Sequence, residues 1–306
     1  MGTYTIRRCL LLIPVLFAIS LLTFVLVHVT PGDAAQIIAG QEVTDVFLAR
    51  LRSEMRLDRP LVLQYMLYIQ DLFKGDLGKS YRTRRPVLEE IGFAFPATIT
   101  LTAAAMCISI LVGLFVGIIS AVKHNSFLDN LVRSVLLVSV SMPVFWTGLL
   151  LMYFFSVRLQ LLPSTGRGGI EYLILPALTL STYSTALLAR TTRSAMLDVI
   201  REDFITVARA KGLSNLTVIL KHVLRNALIP IVTMAGVNTG ILLGGAILAE
   251  TVFAWPGMGR LLVESLHTRD VPVIQGCVMI SAGIFVLVNL CVDVVVTWLN
   301  PQVKYG

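Results

Sequence analysis

The chain has 306 residues, 56% of them hydrophobic and only 14% charged, with a mean hydropathy of +0.82. That balance excludes an ordinary soluble domain. The net charge of +7 is spread so unevenly between short connections that it reads as membrane orientation, not as affinity for nucleic acid.

Six apolar runs are each about as long as the ~20 residues a helix needs to cross a bilayer. They lie near Leu10–Val29, Ala97–Val122, Leu131–Val157, Tyr172–Ala189, Ala227–Leu248 and Val273–Leu299. Hydrocarbon offers no partner to the backbone, so helices are the expected form. The first run, after Arg7 and Arg8, is too long for a cleaved signal peptide and reads as a retained start-transfer helix. Basic residues in the short loops place both termini in the cytoplasm. The expected fold is all-α, with six spans, an amphipathic extracytoplasmic segment between the first two and a cytoplasmic helix between the fourth and fifth. Two parts follow: residues 1–95, with the first span and the outer segment, and residues 96–306, a five-helix core with a loop at about 196–226.

The first run is broken by Pro31-Gly32-Asp33. In the outer segment Val62, Tyr65, Met66, Ile69 and Phe73 recur at helical spacing just after Pro60, which opens helices well. This helix is expected to lie on the membrane surface or to cap its neighbours. Gly75-Asp76-Leu77-Gly78 predicts a turn. Gly78-Lys79-Ser80 fails as a phosphate-binding loop, because the required first glycine falls on Phe73. No nucleotide loop is present, and the catalytic motifs of proteases and hydrolases are missing as well. Cys9, Cys107, Cys277 and Cys291 lie in or beside apolar runs without metal-type spacing and read as small hydrophobes.

Within the spans, Pro143 and Pro176 are expected to kink their helices. Gly113 and Gly117 are spaced for close helix packing. Gly236, Gly240 and Gly244 form a longer small-residue ridge, suited to packing or to lining a pathway. Asn289 and Asp293 share a face of the last run and read as a polar anchor.

The connection Thr191–Asn226 holds Arg193, Arg201, Arg209, Lys211, Lys221 and Arg225, more cations than any other short connection. Glu202 and Asp203 suit the start of a helix, whose dipole favours negative charge there. Phe204, Val207, Ala208 and Lys211 fall on one face, and Gly212 ends the stretch. The residues alone leave two readings open: a helix inserted in a groove on another protein, or one lying on lipid headgroups.

Thr206-Val207-Ala208-Arg209-Ala210-Lys211-Gly212, followed by Lys221-His222-Val223-Leu224-Arg225-Asn226-Ala227-Leu228-Ile229-Pro230, resembles the permease loop of ABC importers of the dipeptide/oligopeptide/nickel family, including glutathione and dipeptide permeases. Pro31-Gly32-Asp33, Gly75-Asp76-Leu77-Gly78, Phe253–Gly259 and Asp270–Gln275 extend the likeness along nearly the whole chain. Anchored on Gly212, the wider superfamily's Glu-Ala-Ala pattern keeps only Ala208, with Thr206 and Val207 at its first two positions. His222 and Arg225 stand where that pattern has Ile and Pro.

The resemblance implies one half of a translocation pathway for a small peptide-like substrate in the bacterial cytoplasmic membrane. The implied partners are a second, homologous permease subunit, two ATP-binding subunits, an extracytoplasmic substrate-binding protein and membrane lipid, with no nucleic acid. This chain would be no enzyme and would hold no cofactor or metal, ATP and Mg belonging to the partner subunits. Phe204, Val207, Ala208, Arg209, Ala210, Lys211 and Gly212 would couple it to the ATPases. Trp255, Pro256 and Gly257 would lie at the outer face near the docked binding protein. Nickel complexes are the alternative cargo within the family. A secondary carrier is the alternative of another class, which would call for inverted repeats and midplane ion ligands.

Overall fold

The computed structural model describes residues 2–29, 34–39 and 44–299, except for the side chains of 2–13, 34, 37, 38, 293 and 295–299. The expectations for Pro31-Gly32-Asp33, the Asp293 side chain and the carboxyl terminus fall outside the described residues. In chain order the helices are α1 (Gly2–Val29), α2 (Ala34–Ala39), α3 (Asp45–Glu54), α4 (Leu61–Phe73), α5 (Val87–Val122), α6 (Phe127–Ser141) and α7 (Val144–Leu151). A π-helical turn, Met152–Arg158, extends α7. There follow α8 (Ile170–Ile200), α9 (Asp203–Ala210) and α10 (Asn215–Thr217), a second π segment (Val218–Val223), α11 (Leu224–Val252), α12 (Met258–Thr268) and α13 (Val271–Leu299). Among the described residues there is no strand, only an isolated bridge between Lys79 and Pro86.

Among the described residues, four helical segments are long and apolar enough to cross a bilayer: Val87–Val122, Ile170–Ile200, Asn215–Val252 and Val271–Val292. A fifth results if Phe127–Ser141 and Val144–Arg158, bent by 108°, count as one broken span. Pro14–Val29 is a shorter apolar helix. The third predicted run is therefore not one rod. Pro143 lacks an N–H and forces Met142 into an extended conformation (ψ 129°), so the chain breaks there instead of kinking. Pro176, by contrast, sits inside an unbroken α8. The fourth predicted run stops at Ala189, but α8 continues to Ile200. A helix leaving the bilayer has no reason to end where its apolar composition ends.

The chain forms two compact units, residues 1–98 with 256–286, and residues 99–255 with 287–306. In the first, Val87, Ile91 and Ala94 of α5 pack with Met258, Val273 and Cys277. Gly276 makes this approach possible, since a Cβ there would meet Val87 at 2.6 Å. Tyr65 of α4 stacks edge-on against Phe24 of α1 (5.1 Å), and its hydroxyl lies 3.0 Å from Ser20 Oγ. Gln64 Oε1 is 3.0 Å from His28 Nε2. The helix predicted after Pro60 is thus present, and it leaves Val62, Met66 and Phe73 exposed. Asp270 is buried and accepts from Ser80 Oγ, from Tyr81 N (2.9 Å) and from Arg82 N (3.3 Å), pinning the loop that follows the predicted turn.

In the second unit α5 crosses α8 closely. A Cβ on Gly113 would meet Leu188 at 2.9 Å, and one on Gly117 would meet Thr192 at 2.6 Å, so both glycines serve helix packing. The Gly236–Gly244 ridge is not uniform. Gly236 is buried against Val292, Gly240 is buried, and Gly244 is exposed with nothing within 4 Å. Asn289 is half-buried on α13.

Candidate functional site

The basic connection folds as a cap of short helices built on an apolar core. Ile205 and Ala208 of α9 point inward and join Ala195 and Met196 of α8 with Val218, Ile219 and Val223 of the π segment. Ile205, Met196, Val218 and Val223 are fully buried. Asp203 occupies the first turn of α9, where it faces the positive end of the dipole. At the other end Lys211 N donates to Val207 O (3.0 Å) and Gly212 N to Arg209 O (2.9 Å). Gly212 has φ +76°, a left-handed conformation that glycine adopts without strain.

With one side of α9 committed to the core, the other is bare. Phe204 is 44% and Val207 53% exposed, and Arg209, Ala210 and Lys211 are exposed beside them. Leu213, Leu216 and Leu220 extend the apolar surface. Ala208 departs from the expected docking face. Its small side chain fits α9 onto this chain's own core, and so the available face consists of Phe204, Val207, Ala210 and Lys211.

A buried ion pair, not foreseen in the sequence, braces this region. Asp129 of α6 is fully buried and takes two hydrogen bonds of 2.8 Å from Arg193 Nε and Nη2 on α8. Ser120 Oγ of α5 and Asn125 N also donate to it. One carboxylate thereby joins α5, α6 and the part of α8 that leads to α9. Two-pronged guanidinium contacts of this kind fix orientation as well as distance. The only sequence signal was a single Asp three residues after a capping Ser126, which reads as helix capping and hides the long-range partner.

The Trp255-Pro256-Gly257 segment, expected at the outer face, is packed for most of its length. Trp255 is 3% exposed and its ring lies under the Arg167 guanidinium (5.8 Å), while its backbone N–H donates to Glu250 O (2.8 Å). Gly257 is buried as well, and only Pro256 is exposed. A cation over an indole face is a packing contact here, not a free surface.

The long apolar helices, with the cap of short helices they carry, are those of a multi-pass membrane protein. Residues 113–305 match the family model described as binding-protein-dependent transport system inner membrane component, and residues 1–102 match its N-terminal companion. The chain belongs to this family of ABC-importer permeases. It is 43% identical to the dipeptide transport system permease protein DppB of Alkalihalophilus pseudofirmus and 45% identical to the glutathione transport system permease protein GsiC of Escherichia coli strain K12, each likeness covering all of both chains. A solved structure of the MetNI methionine ABC transporter, in an inward-facing conformation, matches its fold with TM-score 0.62 at 20% identity, over 70% of this chain and 97% of that one.

Proposed function

We propose that this chain is half of the translocation pathway of an ATP-driven importer for a small peptide-like substrate, with α9 as its coupling helix. The observation that carries the proposal is the division of α9. Ile205 and Ala208 anchor it within the chain, while Phe204 and Val207 stay exposed beside Arg209 and Lys211. An exposed apolar pair rimmed by cations fits a groove on a partner better than it fits water. The peptide class of substrate rests on the relatives that transport dipeptides and glutathione.

In this reading six spans cross the cytoplasmic membrane, the bent α6–α7 pair counting as one and α1 as another, with both termini inside. A second permease chain completes the pathway. Two ATP-binding subunits hold ATP and Mg, and an extracytoplasmic binding protein delivers the substrate. Closure of the ATPases pulls on α9. The Asp129–Arg193 pair passes that pull to α5 and α6, so that helices rock as rigid bodies about the pathway.

The test is uptake of a labelled dipeptide or glutathione into proteoliposomes holding this chain with its partner permease, ATPases and binding protein. ATP-dependent uptake is expected. ATP-independent uptake by this chain alone would replace the importer with a secondary carrier. Topology is tested separately with Arg82→Cys and Leu213→Cys in a background lacking the native cysteines. An impermeant thiol reagent applied to intact cells should label the first position and spare the second.

A further inference from the structure

The first unit holds a polar cavity of about 390 Å³, formed by α1, the end of α3, α4, the loop after α4 and the start of α13. Its acidic lining is already engaged. Glu54 accepts from Arg50 (3.2 Å), Asp71 from Arg56 (2.7 Å) and Asp76 from Gly78 N (2.8 Å). Its donors are not. Among the described residues, Lys79 and Arg84 line the cavity without an ion pair, and the buried Tyr68 hydroxyl has no hydrogen-bond partner. Gln275, only 6% exposed, also lines the cavity. A buried hydroxyl left unsatisfied, as that of Tyr68 is, costs about 1–3 kcal/mol, so it points to something that satisfies it. The loop that carries Lys79 and Arg84 is held rigid by the buried Asp270, which binds Ser80, Tyr81 and Arg82.

We infer that this cavity is a binding site for the carboxyl terminus of a short free peptide. The lining offers two cations for a carboxylate, one hydroxyl donor, and one amide that both donates and accepts, as a peptide unit requires. Burial pushes the Tyr68 phenol up to about 12, so it stays a protonated donor at neutral pH. The site deepens the importer reading and rests on it for the ligand class. It would give the permease its own contact with substrate, apart from the pathway.

The test is equilibrium binding to the full chain in lipid nanodiscs, with Ala-Ala, its C-terminal amide and its N-acetyl form as probes. Saturable binding of Ala-Ala and of N-acetyl-Ala-Ala is expected, with at least tenfold weaker binding of the amide. The double variant Lys79→Gln/Arg84→Gln, both positions being exposed, should weaken Ala-Ala tenfold or more, and Tyr68→Phe and Gln275→Leu severalfold. No saturable binding, equal affinity for the amide, or indifference to the Lys79→Gln/Arg84→Gln change would overturn the site. ATP-driven uptake by the assembled complex is measured in parallel. Uptake without binding removes this site alone, whereas absence of peptide uptake removes the importer reading.

Discussion

Helices α4 and α9 are built alike and end alike, yet they present different surfaces. Each is short, each packs one side on its own unit, and each stops at a Lys–Gly pair whose glycine has φ +76° (Gly75 and Gly212). The exposed side of α4 is Val62, Met66 and Phe73 without a cation between them, a surface for hydrocarbon or headgroup methylenes. The exposed side of α9 mixes Phe204 and Val207 with Arg209 and Lys211. Their anchoring differs too. On the α4 side it is aromatic and polar, through Tyr65–Phe24 and Gln64–His28, with its ion pair Arg56–Asp71 open to solvent; the region of α9 is braced by a buried ion pair. The contrast teaches that amphipathicity alone does not state a helix's partner. The charge within the apolar face and the stiffness of the support do.

The largest expected effect tests the anchoring. Asp129→Ala leaves the largely buried Arg193, 17% exposed, without its carboxylate, and breaking a buried pair typically costs about 3–5 kcal/mol. Tyr65→Phe keeps the ring and removes one neutral hydrogen bond, to Ser20 Oγ (3.0 Å), worth about 1 kcal/mol. Thermal unfolding of the purified chain should therefore fall far more for Asp129→Ala. ATP hydrolysis in the assembled complex should also lose its dependence on the binding protein. Equal losses in the two variants would erase the difference in support.

Next comes the difference in surface. Ala210→Trp places a large ring on the exposed side of α9, whereas Met66→Trp does the same on α4. If α9 seats in a groove, overpacking costs about 1–3 kcal/mol of association. Co-purification of the ATPases and uptake should then drop for Ala210→Trp and hold for Met66→Trp. Normal co-purification with Ala210→Trp would make both helices lipid-surface helices.

The parts of this fold legible in the sequence were those written in local composition. Apolar runs announced the spans, Pro60 and a period near 3.6 announced α4, and Glu202-Asp203 with Gly212 bracketed α9. The boundaries went wrong where composition and hydrogen bonding part company: α8 runs past Ala189 because Arg190 and Arg193 are good helix formers outside hydrocarbon. Ala208 shows a second limit. Small size marks a tight contact but not on which side of the helix, and the tight contact proved to be internal. The Asp129–Arg193 pair joins residues 64 apart, and the polar cavity gathers residues from both ends of the first unit, so no local pattern could have displayed either.

The smallest effect separates fold from function most cleanly. Beyond its immediate chain neighbours, neither Gly75 nor Gly212 has an atom within 4 Å of where a Cβ would stand. Alanine at either position therefore meets no clash and pays only for the left-handed backbone, about 1–2 kcal/mol. The two substitutions should lower the unfolding temperature of the purified chain by similar amounts, because the caps are equivalent: Gly75 N donates to Leu72 O at 3.0 Å and Gly212 N to Arg209 O at 2.9 Å. Gly212→Ala loosens the last turn of α9, which holds Ala210 and Lys211 at the proposed contact, and should reduce uptake per ATP hydrolysed. Gly75→Ala loosens the end of α4 and should leave that ratio unchanged. Equal loss of coupling in both would mean that transport senses only the stability of the chain, and α9 would then have no claim over α4.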